Sequence, residues 1–538
     1  MRPKRIIAAV LTAALAAAGS LAMAPAPRAL AALSNGASAE VVIGQQNMTA
    51  TDGNQGGAAS ASTIYAPRGI YSDGEKLFIA DSANSRVLIY NSIPTSNNAS
   101  ADVVIGQQNM TAAGENQGGS VTSSTLMYPL GVYSDGEKLF VADTSNNRVL
   151  IYNSIPTSNN ASADVVVGQQ NMTSNSANQG GSASASTLSS PATVYSDGIK
   201  LFIADGANNR VLVYNSIPTS NNASADVVIG QQNMTSSDAN QGGSDPTAST
   251  LAIPYGVSSN GSKLFVTDWA NSRVLIFNSI PTSNGASADV VVGQSTMTAN
   301  DAPAATSATT LYLPSEVRSF GSKLAVTDRM SNRVLIYNSI PASNGAGANL
   351  VIGQPNTTAD DEDQGGAAGA NTLDEPRGVA FGGTKMFVGD YDNNRVLVYD
   401  FGPQYAIGKN QSATLWNGEK MKVKKKKFEF SGKRTTLKKG RVRLLVNGSS
   451  KKVVKIKKNG KWKIKYNHKT SETLRIRFKF YNSGGTNVEN PETYVVQVKH
   501  NGTLTPVVFK KADFEPMSYS GEQSAKKSKK IDVSSVSW

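Results

Sequence analysis

Across residues 130–169 the apolar residues come in four short bursts. The first is LGVYS, Leu130 to Ser134. Asp135-Gly136 follows, a pair that turns a chain tightly because such residues tolerate positive φ. KLFVAD, Lys138 to Asp143, is the second burst, and after TSNN comes the third, RVLIYN. A longer polar loop, SIPTSNNAS, leads to the fourth, ADVVVGQ, which ends at Gln169. β-Branched and aromatic residues dominate each burst, and none is long enough for an ordinary helix. The pattern predicts four short antiparallel strands, a to d.

The pattern recurs. Gly-Gln pairs begin at Gly44, Gly106, Gly168, Gly230, Gly293 and Gly353, spaced by 62, 62, 62, 63 and 60 residues. Asp-x-x-(Asn/Ser)-(Asn/Ser)-Arg begins at Asp81, Asp143, Asp205, Asp268, Asp328 and Asp390. Six units of four strands predict an all-β fold, a six-bladed propeller over residues 39–400. The series opens on a strand d, Ala39 to Gln45, and closes on a strand c, Arg395 to Asp400. The first strand therefore completes the last blade, so that the ring has no open edge.

LFVADTSNNRVLIY resembles the NHL repeat, whose core runs hydrophobic-Val-Ala-Asp-x-x-Asn-Asn-Arg-Val, and the likeness extends through all six units. It implies a six-bladed propeller of a kind used mostly for binding, with a minority of lyase-type enzymes.

Composition divides the chain further. Residues 1–31 read as a secretory signal, with basic Arg2, Lys4 and Arg5 before an Ala-rich apolar run and small residues at candidate cleavage sites. A retained anchor is the rival reading. The expectation is a secreted or surface-held bacterial protein with no transmembrane helix after cleavage. Cysteine is absent, which excludes disulfides and thiolate metal sites. Residues 401–538 hold 32 Lys+Arg against 9 Asp+Glu, whereas the rest of the chain is net acidic. Two parts of opposite charge suggest two tasks. The basic part alternates apolar and polar residues in MKVKKKKFEFSG, GRVRLLVNG, KKVVKIKKNGKWKIKY and TLRIRFKFYN. That predicts an antiparallel β-sandwich over 401–517, weakly resembling the Ig-like modules of bacterial surface proteins, and a disordered tail over 518–538. KIKKNGKWKIKY reads as a hairpin turning at Asn459-Gly460, with Lys455, Lys457, Lys461, Lys463 and Lys465 on one side. Such a row suits an anionic surface polymer, or serves solubility and edge protection.

Asp143, Asn146 and Arg148 invite a catalytic reading. Their equivalents occur in every unit, however, and a feature of every blade is expected to hold the fold together. Differences between copies are more telling. Strand alternation puts the b–c turns and d-to-a connections on one face. There the turns SANS, TSNN and GANN give way to WANS, RMSN and YDNN, introducing Trp269, Arg329, Met330 and Tyr391, so the ligand site is expected in units four to six, with the first three mainly frame. At the entry to strand a, Arg68, Tyr255 and Arg377 follow the proline of their units, and Glu316 replaces a usual glycine. Glu316 is expected either to orient Arg377 and Arg68 around an anionic group or to join them in a self-satisfied plug. Asp361, Glu362 and Asp363 read as a solvated charge run, since three adjacent acids are not spaced like a calcium loop.

The expected function is binding, not catalysis, with no cofactor and no metal. Residues 34–400 contain no His and no Cys, which removes zinc-ligating histidines and a histidine base. A protein or glycan ligand on the varied face, an anionic cell-surface polymer on the basic part, and a monomeric chain complete the picture. The acidic propeller argues against specific nucleic-acid binding. A propeller-type lyase or lactonase is the alternative.

Overall fold

The computed structural model describes residues 33–320, 323–382 and 385–400, and nine shorter stretches between 412 and 510. The expected signal segment and tail lie outside the described residues. Blade 1 takes Pro67–Ser72, Leu77–Asp81, Arg86–Tyr90 and Val103–Ile105 as strands a to d, and blades 2 to 5 repeat the order. Blade 6 takes Pro376–Gly382, Lys385–Asp390 and Arg395–Asp400 from one end of the series and Val41–Ile43 from the other. That last strand lies antiparallel on strand c, with Val42 opposite Leu397. Each strand a touches the strand a of both neighbouring blades, so six blades close into one ring. The fold is the six-bladed propeller that the repeat predicts.

The recurrent residues act as cement. Each repeat Asp meets the Arg five residues on at 2.6–2.8 Å, with both side chains fully buried. In blade 2, Asp143 also accepts from Asn146 Nδ2 and from the Met127 backbone N–H, while Arg148 donates to the carbonyls of Met172, Thr122 and Thr125. Every charged atom thus gains at least one partner and the pair as a whole several, which offsets the cost of removing it from water. The c–d loop, nearly identical in the first four blades, has a similar task. Asn97, Asn159, Asn221, Asn284 and Asn344 each accept a backbone N–H from the strand d of the preceding blade. Asn35 does the same for Val351, so the closing segment is tied to blade 5 as well as blade 6.

Beyond residue 411 the strands form two antiparallel sheets. One runs Ser412–Thr414, Lys420–Lys424, Lys427–Lys433, Lys461–Asn467; the other runs Ser449–Lys455, Arg441–Val446, Thr473–Tyr481, Asn487–Val498, Leu504–Lys510. The expected hairpin is corrected here. A hydrogen bond from Lys457 N–H to Lys461 O is present, but the flanking strands pair into different sheets. In these separate sheets Lys465 takes the register position opposite Glu429, while Lys461 lies opposite Lys433 and Lys455 opposite Arg441. Lys455, Lys457, Lys461, Lys463 and Lys465 are all exposed, alternating with buried Ile456, Trp462 and Ile464. Among the described residues no helix is long and apolar enough to cross a membrane.

Candidate functional site

The mouth of the ring is built at three positions of each blade: the residues before and after the strand-a proline, and the first residue of the b–c turn. The residue before proline has positive φ in all six blades, 45–55° at Ala66, Tyr128, Ser190, Ile253, Leu313 and Glu375. That conformation is strained for a side chain bearing Cβ, and especially for Ile253. It is held because the last residue of the neighbouring blade's b–c turn accepts its backbone N–H. Asn332 Oδ1 does so for Glu375 at 2.8 Å, Asn209 for Ile253 and Asn394 for Ala66. The same hydrogen bond therefore stitches blades together, and two residues carried at this position, Tyr128 and Glu375, meet the arginines of the mouth.

Arg68 bridges this mouth. It belongs to blade 1 and donates to the Tyr255 hydroxyl of blade 4, which lies opposite in a ring of six. It also donates to Tyr128 and Tyr391 of the two adjacent blades, at 3.1 Å each, and its guanidinium lies over both rings at 5.1 and 4.7 Å. Those two hydroxyls are 3.3 Å apart. Arg377 stacks on the other part of the arrangement, 3.7 Å from the Tyr391 ring centroid. It pairs with Glu375 at 2.7 Å, and Arg329 pairs with the same carboxylate at 2.8 Å. Arg329 in turn lies over Trp269 at 6.0 Å. Burial opposes the charge of Arg68, but the three tyrosine oxygens more than offset it and its pKa is raised. Burial would also raise the Tyr128 phenol; the Tyr391 hydroxyl and Arg68 outweigh it, leaving Tyr128 below the usual tyrosine range. Burial and the neighbouring Arg68 lower Arg377.

Trp269, Arg329, Met330, Tyr391, Tyr255, Arg377 and Arg68 all lie on this face. Two expectations change. Glu316 does not orient Arg377 or Arg68: its carboxylate lies 3.5 Å from Arg318 and accepts the Val317 N–H. At the strand-a entry of blade 5 the Ser315 N–H donates to the Thr327 carbonyl and the Thr327 N–H donates to the Glu316 carbonyl, so two consecutive residues face one partner in a bulge that breaks the simple alternation of a strand. Burial raises the Glu316 carboxyl to about 7, against the pull of Arg318. The arrangement is also not confined to units four to six, because Arg68 comes from the first and Tyr128 from the second. Tyr128 and Glu375 went unnoticed in the sequence. Both immediately precede a repeat proline, a position that varies between copies as freely as the one after it, and that variation was the available signal.

Asp360, Asp361, Glu362 and Asp363 line a cavity of about 550 Å³ with Asn332. Asp363 is more than part of a solvated run. It accepts from Thr372 Oγ1 and Asn393 Nδ2, taking the place of the Asn that pairs with Asn84, Asn146 or Asn208 in earlier blades. Among the described residues no group of three or more His, Cys, Asp or Glu is disposed to hold a metal ion.

No family model matches the chain, and no curated protein matches it. Among solved structures, it is similar to the computationally designed Ika8 protein at 7% identity, covering 68% of this chain and 100% of that one, with TM-score 0.33. The extracellular domain of the hybrid two component system BT4673 from B. thetaiotaomicron is 10% identical, with 82% and 59% covered and TM-score 0.33. The PQQ-bound aldose sugar dehydrogenase from Streptomyces coelicolor is 11% identical, with 64% and 96% covered and TM-score 0.34. Likenesses this distant say nothing about chemistry.

Proposed function

We propose that this is an exported, non-enzymatic binding protein. Its propeller takes a protein or glycan ligand at the mouth on the b–c face, and its basic C-terminal part contacts anionic surface polymers. The observation that carries the reading is the asymmetry of the mouth. Six copies of one frame surround it, yet its aromatic and arginine side chains come unevenly, with blade 3 contributing only Ser190, Ala192 and Gly206. Tyr, Trp and Arg in a partly desolvated cluster are the residue types that dominate binding hot spots. Exposed lysines on the basic strands support the second contact.

The test is an array of glycans, peptides and anionic polymers probed with the full chain and with the variant Trp269→Thr, Arg329→Ser, Tyr391→Phe. The Phe keeps the ring on which Arg68 and Arg377 stack. Loss of about 1–3 kcal/mol in binding with an unchanged fold supports the reading. Equal binding by both proteins refutes it. A lyase or lactonase is a second reading favoured by one observation, the lowered phenol of Tyr128 beside Arg68, which suits a general base. Turnover of an arrayed ligand, abolished by Tyr128→Phe, would select it.

A further inference from the structure

The mouth has a surplus of donors. Arg68 carries five N–H groups, of which three are accounted for by Tyr255, Tyr128 and Tyr391; its Nε is buried without a partner. Each of these phenols accepts from Arg68 and so retains its own proton to donate. Tyr128 and Tyr391 share one such proton between them. Among the described residues, neither the hydroxyl proton of Tyr255 nor the remaining one of that pair has an acceptor. Arg68 has no carboxylate partner among the described residues, and Glu375 is engaged by Arg329 and Arg377. Arg377 is only 8% exposed, and its Nε too has no partner. A guanidinium surrounded by unspent phenolic donors is the complement of an anionic acceptor.

The surroundings narrow the anion. The Arg68–Tyr255 bridge spans the ring, so a ligand meets it end-on with a terminal group. Acidic residues lie within electrostatic reach of the mouth: Asp392 senses the charges of Glu375, Arg377 and Arg329, and Asp374 those of Asp392 and Glu362. A polyanion approaching along this face would meet that charge, whereas a single terminal carboxylate would not need to cross it. The rim supplies apolar contact. Tyr65, Ile253 and Met330 are the exposed large hydrophobics among the described propeller residues, at 47, 40 and 36%, and all three sit on this face. Two of them are aliphatic chains, suited to an apolar body more than to a sugar ring.

Resting on the binding reading above, we infer that the propeller mouth is a carboxylate subsite for an apolar monocarboxylate, with Arg68 and the Tyr255 and Tyr128/Tyr391 hydroxyls on the carboxylate and Ile253 and Met330 against the apolar body. The carboxylate could belong to a small acid or to the end of a peptide chain; the chemistry at Arg68 is the same. The test is calorimetry on the full chain with N-acetyl-leucine, N-acetyl-leucine amide, hexanoate, glucuronate and inorganic phosphate. The acid is expected to bind at least about tenfold more tightly than its amide. Hexanoate matching N-acetyl-leucine identifies a small acid; preference for N-acetyl-leucine identifies a chain end. Arg68→Gln should abolish the acid-over-amide preference. Tyr255→Phe, which removes one hydroxyl and no charge, should reduce it severalfold at unchanged melting temperature, keeping the test open if Arg68→Gln fails to fold. Equal binding of acid and amide, or tighter binding of glucuronate or phosphate, overturns the inference. Array binding that survives Arg68→Gln, without any acid preference, would sink this subsite and leave the binding protein standing.

Discussion

Removing Ser34 to Met48 should open the ring. Val42 and Ile43 are fully buried and Val41 is 7% exposed. At about 1.5–3 kcal/mol per buried aliphatic side chain, these three contribute about 5–9 kcal/mol as an upper figure. The deletion also takes the Met48 carbonyl from the buried Arg395 and the Gln45 amide from the Asn394 carbonyl. Each buried group left unpaired costs about 1–3 kcal/mol more. A domain has about 5–15 kcal/mol in total, so the loss consumes most of it and bares the Arg395–Asp400 edge. Thermal melting followed by circular dichroism, with sedimentation for association, should show a lost or strongly lowered transition and oligomers. A finer comparison uses Val42→Asp and its repeat equivalent Val104→Asp, both at fully buried positions in a strand d. They should destabilise similarly if Val41–Ile43 is a true fourth strand of blade 6. An intact monomer after deletion, or a Val42→Asp variant far milder than Val104→Asp, would refute the reasoning.

Asp205→Asn leaves Arg210 buried without its carboxylate and should cost about 3–5 kcal/mol by denaturant unfolding, while Asp205→Leu combined with Arg210→Met should cost less than that single change. Glu316 has a folded pKa of about 7 above an ordinary 4.5, so its contribution to stability is present below pH 4.5 and lost as pH rises through 7. Glu316→Gln should therefore gain stability on the parent at pH 8, by up to about 3 kcal/mol, and show no such gain at pH 4; the same difference at both would show that Glu316 does not titrate here. Binding of anionic polymers to the full chain should weaken steeply as salt rises, and Lys455, Lys457, Lys463 and Lys465 changed to Glu should remove it; binding that persists at high salt is not electrostatic.

The propeller was legible in the sequence because its information is local and repeated. Apolar alternation fixes each strand, Asp135-Gly136 fixes a turn, and the count of units with a stray strand d at the front dictates how the ring closes. The role of the repeat Asp and Arg was legible too, since a feature of every blade cannot mark a single site. The mouth was only partly legible. Variation after the proline pointed to Arg68, Tyr255 and Arg377, but not to their partners. Arg68 and Tyr255 are 187 residues apart, and they meet because blades 1 and 4 lie opposite once the ring has closed. Tyr128 and Glu375 face the mouth through a positive φ that neighbouring blades impose by hydrogen bonding to their N–H groups. The bulge that steers Glu316 to Arg318 instead of Arg377 likewise depends on pairing between strands. Local pattern sets which residues are strand and which are turn; only closure of the ring decides which side chains share the axis.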